Sequence, residues 1–468
     1  MKIITRFAPS PTGYLHIGNI RTALYSWLFA RKNKGKFILR IENTDFKRSK
    51  TIFIKNIIDT LQWLNIDWDE GPYLQSERIN RYNSIISKML HNKKAYKCYC
   101  SKQELEKNKK KQIMHGEKIK YNGNCRNNKL INNKKLPYTI RLRIPKNKHI
   151  TFIDTIRGKI KFNNNELDDF IIQRTDGIPT YNFCVVIDDW DMKITNIIRG
   201  EEHINNTPKQ IHIINAIGAN IPIYTHVSII TDKSGKKISK RDNNFDILKY
   251  KKNGYLAITL LNYILRLGWS YGNKEIFSQE EMKKLFNLKN LNKSSSIFDI
   301  NKLNWLNKHY LSKLSKDDMI NYLKKICITN NINVNNGPKL KDLYKIFHKR
   351  CNSINEINNL FFIFYKNPDY KNIILIKNYL NIKTKKILKT FKKKLVNINI
   401  WSIESINNVL KKIIFILNIS LKEVAMTLRV AITGLKNSPP INYIIYLMGK
   451  KKIVFHIKNA INFIKFNI

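Results

Sequence analysis

Pro9-Ser10-Pro11-Thr12-Gly13-Tyr14-Leu15-His16-Ile17-Gly18-Asn19 is the stretch from which the fold is read. Before it, Lys2–Phe7 has the make-up of a short strand. After it, from Ile20, the apolar residues Ala23, Leu24, Trp27 and Leu28 recur at helical spacing. Phe37–Ile41 then reads as a buried strand. Strand, glycine-bearing turn, helix and strand open a nucleotide-binding α/β sheet. At the helix entrance Gly18 allows close backbone approach, and unpaired N–H groups there attract phosphate. His16 stands where it can donate to an α-phosphate as negative charge redistributes. In isolation His-Ile-Gly reads as a mere helix cap; the flanking strand and helix supply the context for phosphate.

More than two hundred residues later comes Gly235-Lys236-Lys237-Ile238-Ser239-Lys240-Arg241. Alone it is a solvated lysine run in a lysine-rich chain. As a loop that follows a strand candidate at His226–Ile230, it can close over a nucleotide and neutralise a leaving pyrophosphate.

Together the two motifs resemble the ATP-handling signatures of class I aminoacyl-tRNA synthetases, and the residues around them narrow the resemblance to bacterial-type glutamyl-tRNA synthetases. Arg40–Asp45, Asp69–Tyr73, Arg174–Gly177, Pro179–Phe183, Arg199–His203, Ala257–Trp269, Leu428–Gly434 and Ser438–Pro440 carry it over nearly the whole chain. The resemblance implies a Rossmann-like class I catalytic domain with an α+β insertion, followed by helical stem-contact and anticodon-binding domains. It implies ATP with Mg²⁺, L-glutamate and tRNA(Glu) as reactants, with glutamyl-adenylate as the intermediate and AMP and pyrophosphate as products. His16, Lys237 and Lys240 take the catalytic positions, and Gly18, Glu202 and Ser239 join them around ATP. Arg6, Ala8 and Ser10 line the amino-acid pocket, Glu42 faces the substrate ammonium, and Tyr181 and Arg199 complete it. A pocket built on Arg6 and Arg199 prefers a carboxylate to its amide by charge and geometry. Arg350 matches an arginine implicated in reading the third anticodon base.

Six cysteines in so long a chain make no disulfide framework, but Cys98, Cys100 and Cys125 cluster. They resemble the family's zinc site, with Asn127 where zinc-binding relatives carry histidine. Three thiolates leave a tetrahedral site one ligand short, to be filled by water, Tyr121 or His115 if Zn²⁺ is bound. Cys184, Cys327 and Cys351 read as ordinary buried thiols. Asn43 stands where the family's Glu-Asp-Thr-Asp stretch is acidic.

A chain of 468 residues calls for several domains. Its expected divisions are 1–79 and 185–247 for the halves of the catalytic domain, with 80–184 as the acceptor-end insertion. Residues 248–315 make the stem-contact domain, and 316–370 and 371–468 the two parts of the anticodon-binding module. Leu256–Leu267 reads as a helix closed by Gly268, and Ile406, Leu410, Ile413 and Leu417 share one helical face. No run of alternating strands follows residue 300, which argues against the β-barrels of a glutaminyl-tRNA synthetase. A shortened homologue that modifies a tRNA base lacks the helical half. A small-molecule nucleotidyltransferase would not need it.

Lys and Arg total 85 against 34 acidic residues, a formal charge of +51 that favours a polyanion such as RNA. Asn, Ile and Lys are enriched together, and their A/T-rich codons account for part of that excess. No apolar run reaches the roughly 18 residues needed to span a bilayer. The N-terminus runs into a Pro-Ser-Pro turn rather than a signal peptide, so a cytoplasmic protein acting as a monomer is expected. A non-catalytic tRNA-binding protein derived from a synthetase is the alternative, and the presence of His16 and Lys240 weighs against it.

Overall fold

The computed structural model describes residues 2–127, 136–237 and 246–467. The chain forms two compact units, Met1–Lys252 with Ala257–Leu303, and Asn253–Leu256 with Asn304–Ile468.

The first unit is built on β1 (Ile4–Phe7), β2 (Lys36–Ile41) and β3 (Glu70–Leu74), all parallel, in the order β1-β2-β3. The helix Ile17–Lys32 connects β1 to β2 and is buried over much of its surface. Ile17, Ile20, Leu24, Trp27 and Leu28 are buried along it, as befits a helix covered by other elements on several sides. Next come β4 (Ala95–Cys98), β5 (Thr139–Leu142), β6 (His149–Asp154), β7 (Gly158–Asn163) and β8 (Ile171–Gln173). β4, β5 and β8 make a separate antiparallel sheet. Its side chains Ile140, Leu142 and Ile172 pack with Tyr82 and Ile86 of helix Ile79–His91 and with Phe183 and Val186 of helix Tyr181–Asp191.

The hairpin β6–β7 does not stay with that small sheet. β6 pairs in parallel with β10 (Ile223–Val227), which in turn pairs in parallel with β9 (Asn196–Gly200), giving the order β7-β6-β10-β9. β9 then lies beside β1, because the Thr195 N–H donates to the Ile4 carbonyl at 2.9 Å. Residues 149–163, which the sequence groups with the insertion, therefore extend the nucleotide-binding sheet. The exposed and buried alternation of β6, with Ile150, Phe152 and Asp154 inward, is what that pairing requires.

The strand expected at His226–Ile230 is broken in two. β10 ends at Val227, and β11 (Ile230–Thr231) pairs in parallel with β12 (Ser296–Ile297) instead. The reason lies in two side chains. Arg21 donates to the Ser228 carbonyl, and the Ile229 N–H donates to Glu201 Oε1 at 3.1 Å, so side chains occupy those backbone groups. The helix expected at Leu256–Leu267 spans Ala257–Arg266, with Gly268 beyond it at φ +116°.

In the second unit every described element is helical, from Lys316–Thr329 to Lys450–Asn467. Serine starts four of these helices: Ser315, Ser353, Ser402 and Ser420 each accept an N–H of the first turn. The helix Ile403–Leu417 buries Ile406, Leu410 and Ile413 as its periodicity predicts, with Leu417 partly buried. A single apolar core includes Phe361, Leu388, Phe391, Leu428, Ile444 and Ile457. Among the described residues no helix is long and apolar enough to cross a membrane.

Candidate active site

In an open parallel sheet, ligands bind beyond the carboxyl ends of the strands where the strand order reverses. Here that point lies between β1, whose chain goes on to β2 on one side, and β9, which continues to β10 on the other. A cavity of about 300 Å³ opens there. Arg6, Ala8, Ser10, His16, Gly18, Glu42, Tyr181, Arg199, Glu202 and Lys237, all expected from the sequence, line it. Ser239 and Lys240 lie outside the described residues, as does the side chain of Arg350.

On the phosphate side, His16 is the N-cap of the helix Ile17–Lys32. Its Nδ1 accepts the Gly18 N–H at 3.1 Å, and the Asn19 amide oxygen accepts the His16 N–H at 3.3 Å. The capping and phosphate readings are therefore compatible. With Nδ1 accepting, the proton of the neutral ring is assigned to Nε2, which becomes its donor. A Cβ on Gly18 would sit 2.9 Å from the His16 ring, so only glycine leaves that ring in place. Asn19, to which the sequence assigned little, completes the cap. Lys237 Nζ rests 3.7 Å from Glu202 Oε1, both about half exposed, an ion pair loose enough to be exchanged for phosphate.

On the other side lies a buried network of charges. Arg40, wholly buried, donates to Asp189 Oδ1 at 2.8 Å and Glu42 Oε1 at 3.1 Å, and its Nε lies 3.6 Å from Asp188 Oδ2. Arg6 Nε also donates to Asp189 Oδ1, at 3.2 Å. Asp188 further accepts from Gln75 at 2.7 Å, Arg78 at 2.7 Å and the Tyr82 hydroxyl at 2.9 Å. Burial alone would raise Asp189, but Arg6 and Arg40 hold it below the usual carboxylate range. For Glu42 burial wins: it lies above its ordinary value despite Arg40 and Arg6, so a substrate cation would add stabilisation there. The sequence reading found Arg6 and Glu42 but not Arg40, Asp188 or Asp189. Two adjacent aspartates inside the apolar run Phe183–Trp190 were the available signal.

Arg199 is different in kind. It is 6% exposed and donates to His226 Nε2 at 3.1 Å, Gln210 Oε1 at 2.8 Å, Thr207 Oγ1 at 2.8 Å and the His203 carbonyl at 3.5 Å. Among the described residues it has no carboxylate partner. Burial accordingly draws it below its ordinary value, though a guanidinium stays charged. A buried cation held only by neutral acceptors is suited to an anionic ligand. The Tyr181 hydroxyl lies 3.5 Å from His203 Nδ1. Burial, then Arg199, pushes His203 down to about 4. Asn43 has a structural role: its amide donates to Ser76 Oγ and accepts the Ser76 N–H, each at 2.9 Å.

The Cys98, Cys100 and Cys125 sulfurs lie within 4.8 Å of one another. The Tyr121 hydroxyl is 3.4 Å from the Cys98 sulfur and 3.8 Å from that of Cys100. Asn127 faces elsewhere, its oxygen accepting from Arg143 at 3.3 Å. In the second unit a cleft lies between helix Ile354–Tyr365 and the segment Leu435–Pro439, beside the hydrogen bond from Arg429 to Ser438.

Residues 2–305 match the family of class I tRNA synthetase catalytic domains for E and Q, and residues 304–461 an anticodon-binding domain. A glutamate–tRNA ligase of Wigglesworthia glossinidia brevipalpis is 51% identical over 467 residues, 100% of this chain and 99% of the relative. One from Buchnera aphidicola is 49% identical over 465 residues, 99% of this chain and 100% of the relative. The crystal structure of an Elizabethkingia meningosepticum glutamate tRNA ligase, in complex with its amino acid, superposes with a TM-score of 0.82. It is 31% identical, over 99% of each chain. Motifs, cavity and full-length similarity agree, and the chain belongs to the bacterial glutamyl-tRNA synthetase family of class I.

Proposed function

We propose that this chain ligates L-glutamate to tRNA(Glu) through a glutamyl-adenylate, and that the cavity between β1 and β9 is where both steps occur. The observation that carries the assignment is the meeting, in one cavity, of a helix N-terminus capped by His16 with a buried Arg199 that has no carboxylate partner among the described residues. In the first step the α-carboxylate of glutamate attacks the α-phosphorus of ATP and pyrophosphate leaves. In the second, a ribose hydroxyl of the terminal tRNA adenosine attacks the adenylate carbonyl and AMP leaves.

Arg199 and Tyr181 read the side-chain carboxylate, Arg6 adds positive potential, and Glu42 takes the ammonium; Ala8 and Ser10 shape the entrance. A glutamine amide would leave the Arg199 charge buried and unmatched, which suffices for rejection without editing. His16 Nε2 donates to the α-phosphate, Gly18 keeps the backbone close, and Lys237 exchanges Glu202 for the phosphates of ATP. Ser239 and Lys240, which follow Lys237 closely in sequence, complete the neutralisation of pyrophosphate. Mg²⁺, bound with ATP, supplies further charge compensation. Acceleration comes from positioning and electrostatics, with no dedicated general base.

Residues 80–184 outside the β6–β7 hairpin receive the acceptor end, 248–315 contact the stem, and the two helical parts beyond read the anticodon, with Arg350 at its third base. Cys98, Cys100 and Cys125 fit a structural Zn²⁺, with the Tyr121 hydroxyl rather than Asn127 nearest as a fourth donor. The metal would pin Cys125 to the β4 end of the insertion. The acting unit in this reading is the monomer.

The test is aminoacylation with ATP-Mg²⁺ and labelled glutamate on separate tRNA(Glu) and tRNA(Gln) transcripts. Charging of tRNA(Glu) alone is expected. Charging of both would keep the chemistry and remove the anticodon role of Arg350, and charging of neither would overturn the proposal.

A further inference from the structure

β6, β10 and β9 bring three side chains into line beneath the cavity: Asp154, His226 and Arg199. Asp154 is 1% exposed and His226 is fully buried. Asp154 Oδ2 accepts both the His226 backbone N–H, at 2.9 Å, and the ring Nδ1, at 2.8 Å. Its other oxygen accepts the N–H groups of Ile156 and Arg157, at 3.0 and 2.9 Å. A carboxylate with four donors around it stays ionised and can only accept. The His226 proton is therefore on Nδ1, and Nε2 is left as an acceptor. That nitrogen takes the Arg199 Nε–H at 3.1 Å.

We infer that His226, its tautomer set by Asp154, is a positioning residue that aims Arg199 at the side-chain carboxylate of glutamate. Gln210 and Thr207 hold the two Nη ends of the guanidinium, and His226 holds Nε, so the plane of the fork is defined at three points. Directional recognition of a carboxylate by the guanidinium depends on that plane. Burial and the neighbouring Arg199 hold His226 below its ordinary value, against the pull of Asp154, consistent with a neutral ring. The inference rests on the reading that Arg199 binds the substrate's side-chain carboxylate. It also gives the β6–β7 hairpin a task, since the hairpin brings Asp154 to His226.

The test compares His226→Asn and His226→Gln in steady-state aminoacylation of tRNA(Glu), with Arg199→Gln as reference. Asparagine keeps a donor towards Asp154 but has no acceptor at the Nε2 position. The glutamine oxygen reaches it. His226→Asn should raise the KM for glutamate about 10–100-fold, the range for losing a buried hydrogen bond to a charged group. It should lower discrimination against glutamine and leave the KM values for ATP and tRNA unchanged. His226→Gln should restore most of the glutamate KM. If both variants behave as wild type, or both raise all three KM values alike, the positioning role is overturned. If Arg199→Gln itself leaves the glutamate KM unchanged, the failure lies in the assignment of Arg199 rather than in His226.

Discussion

Where the first unit buries Arg6, Arg40, Glu42, Asp154, Asp188, Asp189 and Arg199, the second buries leucine, isoleucine and phenylalanine from successive helices. Its buried polar groups, Asn307, Thr384, Thr427, Thr433 and His456, carry no carboxylate or guanidinium among the described residues. Apolar burial is non-directional and needs only a periodic stripe. A buried charge needs a partner of the right geometry, and its desolvation often outweighs what the pair returns. The first unit accepts that cost around its cavity, where fixed charges suit the glutamate selection proposed above. The second keeps an apolar core.

The contrast is sharpest at Arg40. Arg40→Met removes the cation shared by Glu42, Asp188 and Asp189, and should destabilise the first unit by about 3–5 kcal/mol. Thermal unfolding read from the first unit's tryptophans measures it; a variant as stable as wild type would mean the network is not held by Arg40. The matching change in the second unit is Leu428→Ala, in a fully buried position. It should cost about 3–4 kcal/mol through an unfilled cavity, seen as faster hydrogen exchange confined to the helical unit. Equal loss of protection in both units would erase the distinction.

Chemistry gives the next effect. His16→Ala should lower kcat about 10²–10³-fold, the scale for one transition-state donor, with tRNA binding intact by filter retention. A drop in tRNA affinity instead would place His16 with the RNA. Smallest is Asn19→Ala, which removes only the acceptor for the His16 N–H. A loss of about 1 kcal/mol in stability is expected, with a modest rise in the KM for ATP from a less ordered His16 ring. An unchanged ring, seen by NMR of its histidine signals, would make the cap incidental.

Much of this protein could be read from the chain itself. The Pro9–Asn19 motif, the later lysine loop and the helical second half are local patterns, set by turn chemistry, capping and a 3.6-residue period. They sufficed to recognise the family, and the resemblance in turn pointed to ten of the residues that line the cavity. What the tertiary structure decided are contacts between distant segments: Arg6 with Asp189, 183 residues apart, and His226 with Asp154, 72 apart. It also decided that β6–β7 joins the catalytic sheet, that Arg21 and Glu201 interrupt the strand after Val227, and that Asn127 turns to Arg143 while Tyr121 meets the thiols. Each depends on which polar group finds a partner once water is excluded. A local pattern does not carry that information, because the partner's identity and direction are set only when the sheet closes.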